Sequence, residues 1–166
     1  STLLARNEAG GRQAFDDVAG WVSDVGAQTA TPGALDQELA RLEHEVLPSW
    51  NAPASLLSGL AELPAVLQHN DLGTWNTVWG APGEFTVLDW ESARADGLPL
   101  WDLLYFTVDA LGLLGGARTA EQRAEHAIRL LRGQLRDSDT LFHTIRRHVA
   151  RLAIPAEAVG PLATLC

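Results

Sequence analysis

The chain has 166 residues, of which 46% are hydrophobic and 20% are charged, and its net charge is -9 at pH 7. This length and apolar content are typical of one domain with a buried core, which excludes a disordered chain. The acidic balance argues against a nucleic-acid-binding protein, because such proteins present a basic surface to the phosphates.

The membrane and secreted classes are also excluded. The most apolar stretch, residues 98–114, is interrupted by Asp102 and Asp109, so it does not predict a membrane span. The chain does not open with a basic segment followed by an apolar one, so no secretion signal is predicted and a cytoplasmic location is expected. Cys166 is the single cysteine, which excludes an internal disulfide and a cysteine-based zinc site.

Methionine and lysine are missing from the sequence. Without an initiating methionine, we expect the chain to be processed or to be a piece of a longer protein. The charge is uneven, since residues 1–110 hold 4 arginines against 16 acidic residues and residues 111–166 hold 8 against 5. Residues 1–110 therefore carry a net charge of -12. This charge favours a cationic ligand or a metal bound to an anion, although a solvated acidic surface is the simpler explanation.

The first part of the chain is predicted to be helical. Apolar residues recur at helical spacing over residues 12–25 and 34–47, and a Thr-Pro-Gly sequence at 31–33 separates the two helices. Acidic residues are expected on the solvent face of the second helix, which Pro48 is predicted to end. A short helix is expected near residues 55–63.

The helical period then disappears, and a small β patch is predicted. Residues 65–68 predict a short buried strand. Residues 77–79 and 84–88 predict a hairpin joined by four loop residues. A loop that contains Asp96 and Gly97 is expected to follow.

Helices are predicted for the rest of the chain. Pro99 is expected to begin a helix that extends to about residue 114 and is apolar nearly all round, which predicts a place at the centre of the fold. Thr119 and Gln122 have the spacing of a capping box at the start of the next helix. Two further helices follow. The inner face of the capped helix is predicted to consist of Ala124, Ala127, Ile128, Leu131 and Leu135.

The candidate catalytic and metal-binding residues are concentrated in the β patch. Asp71 and Asn76 lie five residues apart on a loop after a strand, and Asp89 lies at the end of the second hairpin strand. A loop and an adjacent strand end can bring these three side chains together. Carboxylate and amide oxygens suit Mg²⁺, which usually completes its shell with waters and substrate phosphates. A carboxylate near such a metal can accept a proton from an attacking hydroxyl.

At these residues the chain resembles the aminoglycoside phosphotransferase and choline kinase family, whose members are relatives of the protein kinases. The catalytic loop of that family, His-x-Asp-x-x-x-x-Asn, is matched without gaps by His69, Asp71 and Asn76. Its metal-binding strand end is matched by Leu-Asp-Trp-Glu at 88–91, and its Gly-x-Pro-x-x-Asp-Leu motif by residues 97–103.

The resemblance implies an α+β, mainly α fold: a protein kinase-like C-terminal lobe with a small β-hairpin patch that carries the catalytic loop. Residues 1–63 and 99–166 would be its helical parts, and residues 64–98 would hold the catalytic loop and the β patch. No strand-rich stretch with a phosphate-covering loop precedes Arg12, and no lysine is present to pair with the α/β-phosphates. The N-terminal nucleotide lobe is therefore expected to be absent from this chain. Without that lobe, the chain is not expected to be a competent kinase.

The resemblance also implies roles for the catalytic residues. Asp71 would be the base that orients or deprotonates the acceptor hydroxyl. His69 would brace the loop, and Asp102 would tie down its backbone. The family often has glycine where this chain has Asn70, a mild departure because asparagine tolerates left-handed backbone angles. Trp75, inside the loop, is a candidate for contact with the substrate.

The cofactors implied by the resemblance are Mg²⁺ and ATP or GTP. Asn76 and Asp89 would hold Mg²⁺ against the nucleotide phosphates. For Glu91 two interpretations are equally compatible with the sequence: a group that supports the metal ligands, or a solvated acid. Away from this set, His126, His143 and His148 are expected at the surface or half-buried.

The implied function is transfer of the γ-phosphate to a hydroxyl of an aminoglycoside-, amino alcohol- or sugar-like acceptor, and the negative first part favours a cationic one. Neither nucleic acid nor a membrane is an expected partner. Two alternatives stay open: a kinase-like binding or scaffold module without catalysis, and a metal-dependent phosphohydrolase. The hydrolase is ranked last, because the sequence lacks the additional His or Asp cluster of a two-metal site.

Overall fold

Most of the described chain is helical. The structure is a computed structural model that describes residues 8–81 and 83–166. Helix makes up 61% of it, and small antiparallel sheets complete a mainly helical α+β fold that is compatible with a kinase-like fold. None of the described helices is long and apolar enough to cross a bilayer. The helices are α1 (Glu8–Thr29), α2 (Asp36–Arg41), α3 (Leu47–Trp50), α4 (Trp101–Leu114), α5 (Ala120–Leu131), α6 (Ser138–Arg151) and α7 (Ala156–Leu165).

The strands of the described residues form two small antiparallel sheets. They are β1 (Thr31–Pro32), β2 (Pro64–Gln68), β3 (Thr77–Trp79), β4 (Phe85–Val87) and β5 (Arg94–Gly97). Strand β2 lies between β1 and β5, and β3 pairs with β4 as the predicted hairpin. Asp96 and Gly97 were expected in a loop but belong to β5. A Cβ at Gly97 would lie 2.2 Å from the Gln68 side chain, so the glycine allows β5 to approach β2 closely.

Two helix predictions in the first part of the chain are wrong. Pro48 does not end its helix, because a π-helical turn over Leu42–Val46 joins α2 to α3. A proline cannot donate to the preceding turn, and the wider turn before it accommodates the missing hydrogen bond. The helix expected near residues 55–63 is a single 3₁₀ turn at Ala54–Leu57. Gly59 follows with a left-handed φ of 78°, which interrupts a right-handed helix.

Helix α4 is central, as its apolar composition predicts. It packs against α1, α5, α6 and α7. Its side chains Leu103, Phe106 and Leu111 are fully buried, and the Phe106 ring stacks on Phe15 of α1 with centroids 6.0 Å apart. The helix begins at Trp101, so Pro99 precedes it and does not occupy its first position.

Helix α5 has the predicted capping box between Thr119 and Gln122 but not the predicted inner face. Its fully buried residue is Leu130, because this side of the helix meets α4 and α6. Part of the other side borders a cavity that is described below. The residues predicted to face inward are half-buried or exposed, and they are Ala124, Ala127, Ile128, Leu131 and Leu135. The last of them, Leu135, lies beyond the end of the helix.

His148 of α6 is buried, which corrects the expectation of an exposed or half-buried residue. Its Nε2 donates to the Pro99 carbonyl at 2.5 Å, and its Nδ1 lies 2.9 Å from the Ser23 hydroxyl of α1. Burial lowers the pKa of His148 below its ordinary value, and the hydrogen bond to Pro99 opposes this shift. The histidine therefore joins α1 and α6 to the segment that leads into α4.

Acidification is expected to destabilise the fold through His148. Because its pKa is lowered in the folded state, the unfolded chain binds the proton more readily once the pH falls below about 6.5. The free energy of unfolding should then decrease by at most about 1.4 kcal/mol per pH unit from this group. Urea unfolding between about pH 7.5 and about pH 5 measures the slope.

His148→Gln retains an N–H donor but does not titrate, so its slope should be smaller than that of the wild type. His143→Gln, at an exposed position of the same helix, is the matched control and should keep the wild-type slope. Parallel curves for the wild type and His148→Gln would contradict the prediction.

Candidate active site

The loop at residues 69–76, which follows β2, is attached by its backbone to the first turn of α4. Asp102 accepts from the His69 N–H at 2.5 Å with one carboxylate oxygen and from the Asn70 N–H at 3.1 Å with the other. Burial raises the pKa of Asp102, and the two backbone donors oppose that shift. The start of the loop is thereby fixed relative to the central helix.

His69 lies beneath the loop, with both ring nitrogens engaged. Its Nε2 is 2.7 Å from the Leu88 carbonyl, which can only accept, so Nε2 donates. Its Nδ1 then accepts from the Asp71 N–H at 3.3 Å. The Trp90 ring packs edge-on against the imidazole, with centroids 4.8 Å apart. The ring therefore connects the loop to the end of β4.

Asn70 adopts the left-handed conformation, with φ 72°. Its side chain stabilises that turn, because Nδ2 donates to the Ser92 carbonyl at 2.6 Å and Oδ1 accepts from the Gln68 amide. Asparagine is among the residues that tolerate this conformation best, which explains how it can stand where glycine is common.

Asp71 presents a half-buried carboxylate surrounded by hydrogen-bond donors. Its Oδ2 accepts from Asn76 Nδ2 at 3.0 Å and from Trp75 Nε1 at 3.3 Å, and its Oδ1 accepts from the Tyr105 hydroxyl at 3.4 Å. Burial, and then the negative charge of Asp71, raise the pKa of Tyr105, so the phenol keeps its proton. The three donors restrict the orientation of the carboxylate.

Asn76 and Asp89 lie on adjoining segments because a backbone hydrogen bond joins them. The Leu88 N–H donates to the Asn76 carbonyl at 2.8 Å, so the end of β4 lies beside the end of the loop. Asp89 is exposed and adopts a left-handed φ of 61°. Glu91 is also exposed and lies in the 3₁₀ turn that follows, Trp90–Ser92.

The residues at this junction fit a magnesium ion that also contacts phosphate. Asn76 turns its Nδ2 toward Asp71, which leaves its Oδ1 for a metal, and Asp89 offers an exposed carboxylate. Both are hard oxygen donors. Among the described residues, no three histidine, cysteine, aspartate or glutamate side chains converge on one point. An ion here would therefore depend on phosphate oxygens and water for its remaining ligands.

A model of the phosphotransferase enzyme family matches residues 4–153, most of the sequence. The chain belongs to this family. The match includes the loop, the strand end and the 97–103 motif, and it confirms the resemblance predicted from them. No curated protein and no solved structure gives a significant match.

One more carboxylate of this phosphotransferase-family site, that of Asp109, was not predicted from the sequence. Asp109 of α4 accepts from the Thr74 N–H at 3.0 Å and from the Thr74 hydroxyl at 2.6 Å, both with Oδ2. Its Oδ1 pairs with Arg123 of α5 at 3.0 Å. The middle of the loop is thus joined to two helices. A signal was present, because Asp109 is one of two acids, with Asp102, on a mostly apolar helix.

Proposed function

We propose that this chain is the catalytic and acceptor-binding lobe of a phosphotransferase that moves the γ-phosphate of ATP or GTP to a hydroxyl group of a small molecule. The observation that carries the proposal is the setting of Asp71, whose carboxylate is oriented by Asn76, Trp75 and Tyr105. Family membership supports phosphoryl transfer to small molecules as the reaction class.

In the proposed reaction Asp71 is the base. The acceptor oxygen forms a bond to the γ-phosphorus, the bond from that phosphorus to the β–γ bridging oxygen breaks, and the nucleoside diphosphate leaves. The hydroxyl proton passes to the Asp71 carboxylate. Because Asn76, Trp75 and Tyr105 already hold that carboxylate, little reorganisation is needed before the transfer.

Asn76 Oδ1 and Asp89 are the groups that would hold Mg²⁺. When bound, the ion would neutralise charge on the phosphates. Glu91, two residues beyond Asp89, would orient a water in the shell of the ion or remain solvated.

The nucleotide is proposed to be covered by residues outside this chain. The sequence has no lysine to pair with the α/β-phosphates, and the described residues before β2 are mainly helical. Transfer is therefore to be assayed both with this chain, which is expected to be inactive alone, and with the natural polypeptide that contains it. The missing lysine also favours the second candidate, a kinase-like scaffold module.

Asp89→Asn tests the metal site. The amide is a weaker ligand for Mg²⁺ than the carboxylate, so the Mg²⁺ concentration that gives half-maximal transfer should rise by about tenfold or more. Calorimetric titration of Mg²⁺ with nucleotide into the same variant should show weaker binding in parallel.

Glu84→Gln is the matched control, because this exposed acid lies in the turn of the same hairpin. Its Mg²⁺ requirement should equal that of the wild type. An unchanged Mg²⁺ requirement in Asp89→Asn would refute the assignment of this ligand.

A further inference from the structure

A cavity of about 370 Å³ is lined by Trp75 and Tyr105, two of the residues that donate hydrogen bonds to Asp71. The rings of Trp75 and Tyr105 form part of its wall, and the same two side chains contact both oxygens of the Asp71 carboxylate. Asp71 itself does not line the cavity, so an occupant would approach the proposed base at the Trp75 and Tyr105 end. This volume is sufficient for a small molecule.

The remaining wall of the cavity is mostly apolar. Leu104 and Val108 of α4 and Leu131 of α5 contribute aliphatic surface, and Ala124 is too small to fill the space beside them. Burial raises the pKa of the Cys166 thiol, which also lines the cavity, to about 12, so the thiol is uncharged at neutral pH.

Charge on the cavity wall is already neutralised. Of the described residues that line it, Asp109 and Arg123 are the pair that carries charge, and they lie 3.0 Å apart. The other oxygen of Asp109 is occupied by Thr74. Asp71 has only uncharged donors but does not line the cavity. An ammonium group held by the lining residues would therefore lose water without gaining an unpaired carboxylate, which is costly.

We propose that the acceptor is an uncharged alcohol with a predominantly apolar body, an inference that rests on the proposed function. The apolar body would occupy the space between α4, α5 and α7, and the hydroxyl would lie at the Trp75 and Tyr105 end, which is the side of Asp71. The acceptor class differs from the cationic one that the charge of residues 1–110 favours, because the surface next to the base, and not the net charge of the segment, selects the acceptor.

A matched pair of probes tests the proposal on the 166-residue chain: 2-cyclohexylethanol and 2-(4-aminocyclohexyl)ethanol, which differ by one ammonium group. Binding is followed by the NMR shift of the Trp75 indole N–H. The uncharged alcohol should bind about tenfold more tightly or better. Equal or tighter binding of the amine, or no shift with either probe, would overturn the proposal.

Two variants locate the binding and its charge preference. Ala124→Leu fills the cavity and should weaken binding of 2-cyclohexylethanol by about tenfold. Ala150→Leu, at an exposed helical position outside the cavity, should change it by less than about twofold. Arg123→Gln releases Asp109 from its partner and should improve binding of the amine relative to the alcohol. Unaltered affinities in Ala124→Leu would place the alcohol elsewhere and contradict the proposal.

Transfer assays separate this inference from the proposed function. If the alcohol binds as expected but the natural polypeptide, with Mg²⁺ and ATP or GTP, phosphorylates neither probe, the cavity assignment stands and the proposed function fails. If Asp71-dependent transfer is faster to the amine than to the uncharged alcohol, the proposed function stands and the acceptor class is wrong.

Discussion

Replacement of Asp71 by asparagine is expected to lower kcat for phosphoryl transfer by about 10²- to 10⁴-fold. The amide cannot accept the proton of the acceptor hydroxyl. The N–H₂ group of the new asparagine would also face N–H and O–H donors. In the wild type these donors, from Asn76, Trp75 and Tyr105, surround a carboxylate. Because the shape of the side chain is kept, the KM of the acceptor should change by no more than a few fold. Initial rates with the natural polypeptide, at saturating nucleotide and Mg²⁺, measure this split between kcat and KM.

The same Glu84→Gln variant serves as a control for Asp71→Asn and should retain the wild-type rate. Thermal unfolding of both variants checks that the fold is intact, since Asp71 is half-buried. A kcat within about threefold of wild type in folded Asp71→Asn would remove Asp71 from the role of base. If the wild-type polypeptide itself transfers no phosphate but binds a protein partner tightly, the scaffold module becomes the better explanation.

Local features of the sequence predicted much of this fold. Short β-prone runs around a turn predicted the hairpin of β3 and β4, although five residues, 80–84, separate the strands and not the predicted four. The apolar composition of α4 predicted its central place. The capping box of α5 follows from Thr119 and Gln122 alone. Such features depend on residues close together in the chain. The family was also predicted from motifs, because His69, Asp71 and Asn76 have a fixed spacing within one loop.

Interactions between distant segments could not be predicted from the sequence. Glu38 was expected on a solvent face but is buried, because Arg41 at 2.8 Å and Arg94 of β5 at 2.5 Å neutralise it. Spacing along one helix does not show that an arginine from a strand more than fifty residues later covers that face. Tyr105 and Asp109 reach the loop in the same way, from α4, and periodicity assigns them only to a helix side. The role of the exposed face of α5 also could not be predicted, since only the packed structure shows the cavity that this face borders.

Replacement of Asp102 by alanine is expected to reduce both stability and activity. The substitution removes the acceptor of two backbone N–H groups, that of the buried His69 and that of the half-buried Asn70. Each unsatisfied buried donor costs about 1–3 kcal/mol, so the free energy of unfolding should fall by at most about 2–6 kcal/mol, with the smaller share from Asn70. Burial of the Asp102 carboxylate is itself unfavourable, as its raised pKa indicates, and the alanine variant no longer has this desolvation cost. The expected loss of unfolding free energy is therefore near the lower end of this range. Urea unfolding measures the loss, with the exposed Glu62→Gln as control.

Hydrogen exchange distinguishes this local cause from a general loss of packing. In Asp102→Ala the amides of His69 and Asn70 should exchange faster than those of the preceding strand β2, because their acceptor is gone while the strand pairs persist. Asp102→Asn should have an intermediate effect, since its single amide oxygen can accept from only one of the two donors. The transfer rate should fall in the same order, because the loop that carries Asp71 is held by these two bonds. A stable Asp102→Ala variant with both amides still protected would show that the loop is positioned by His69 and Asn70 side-chain contacts and not by Asp102.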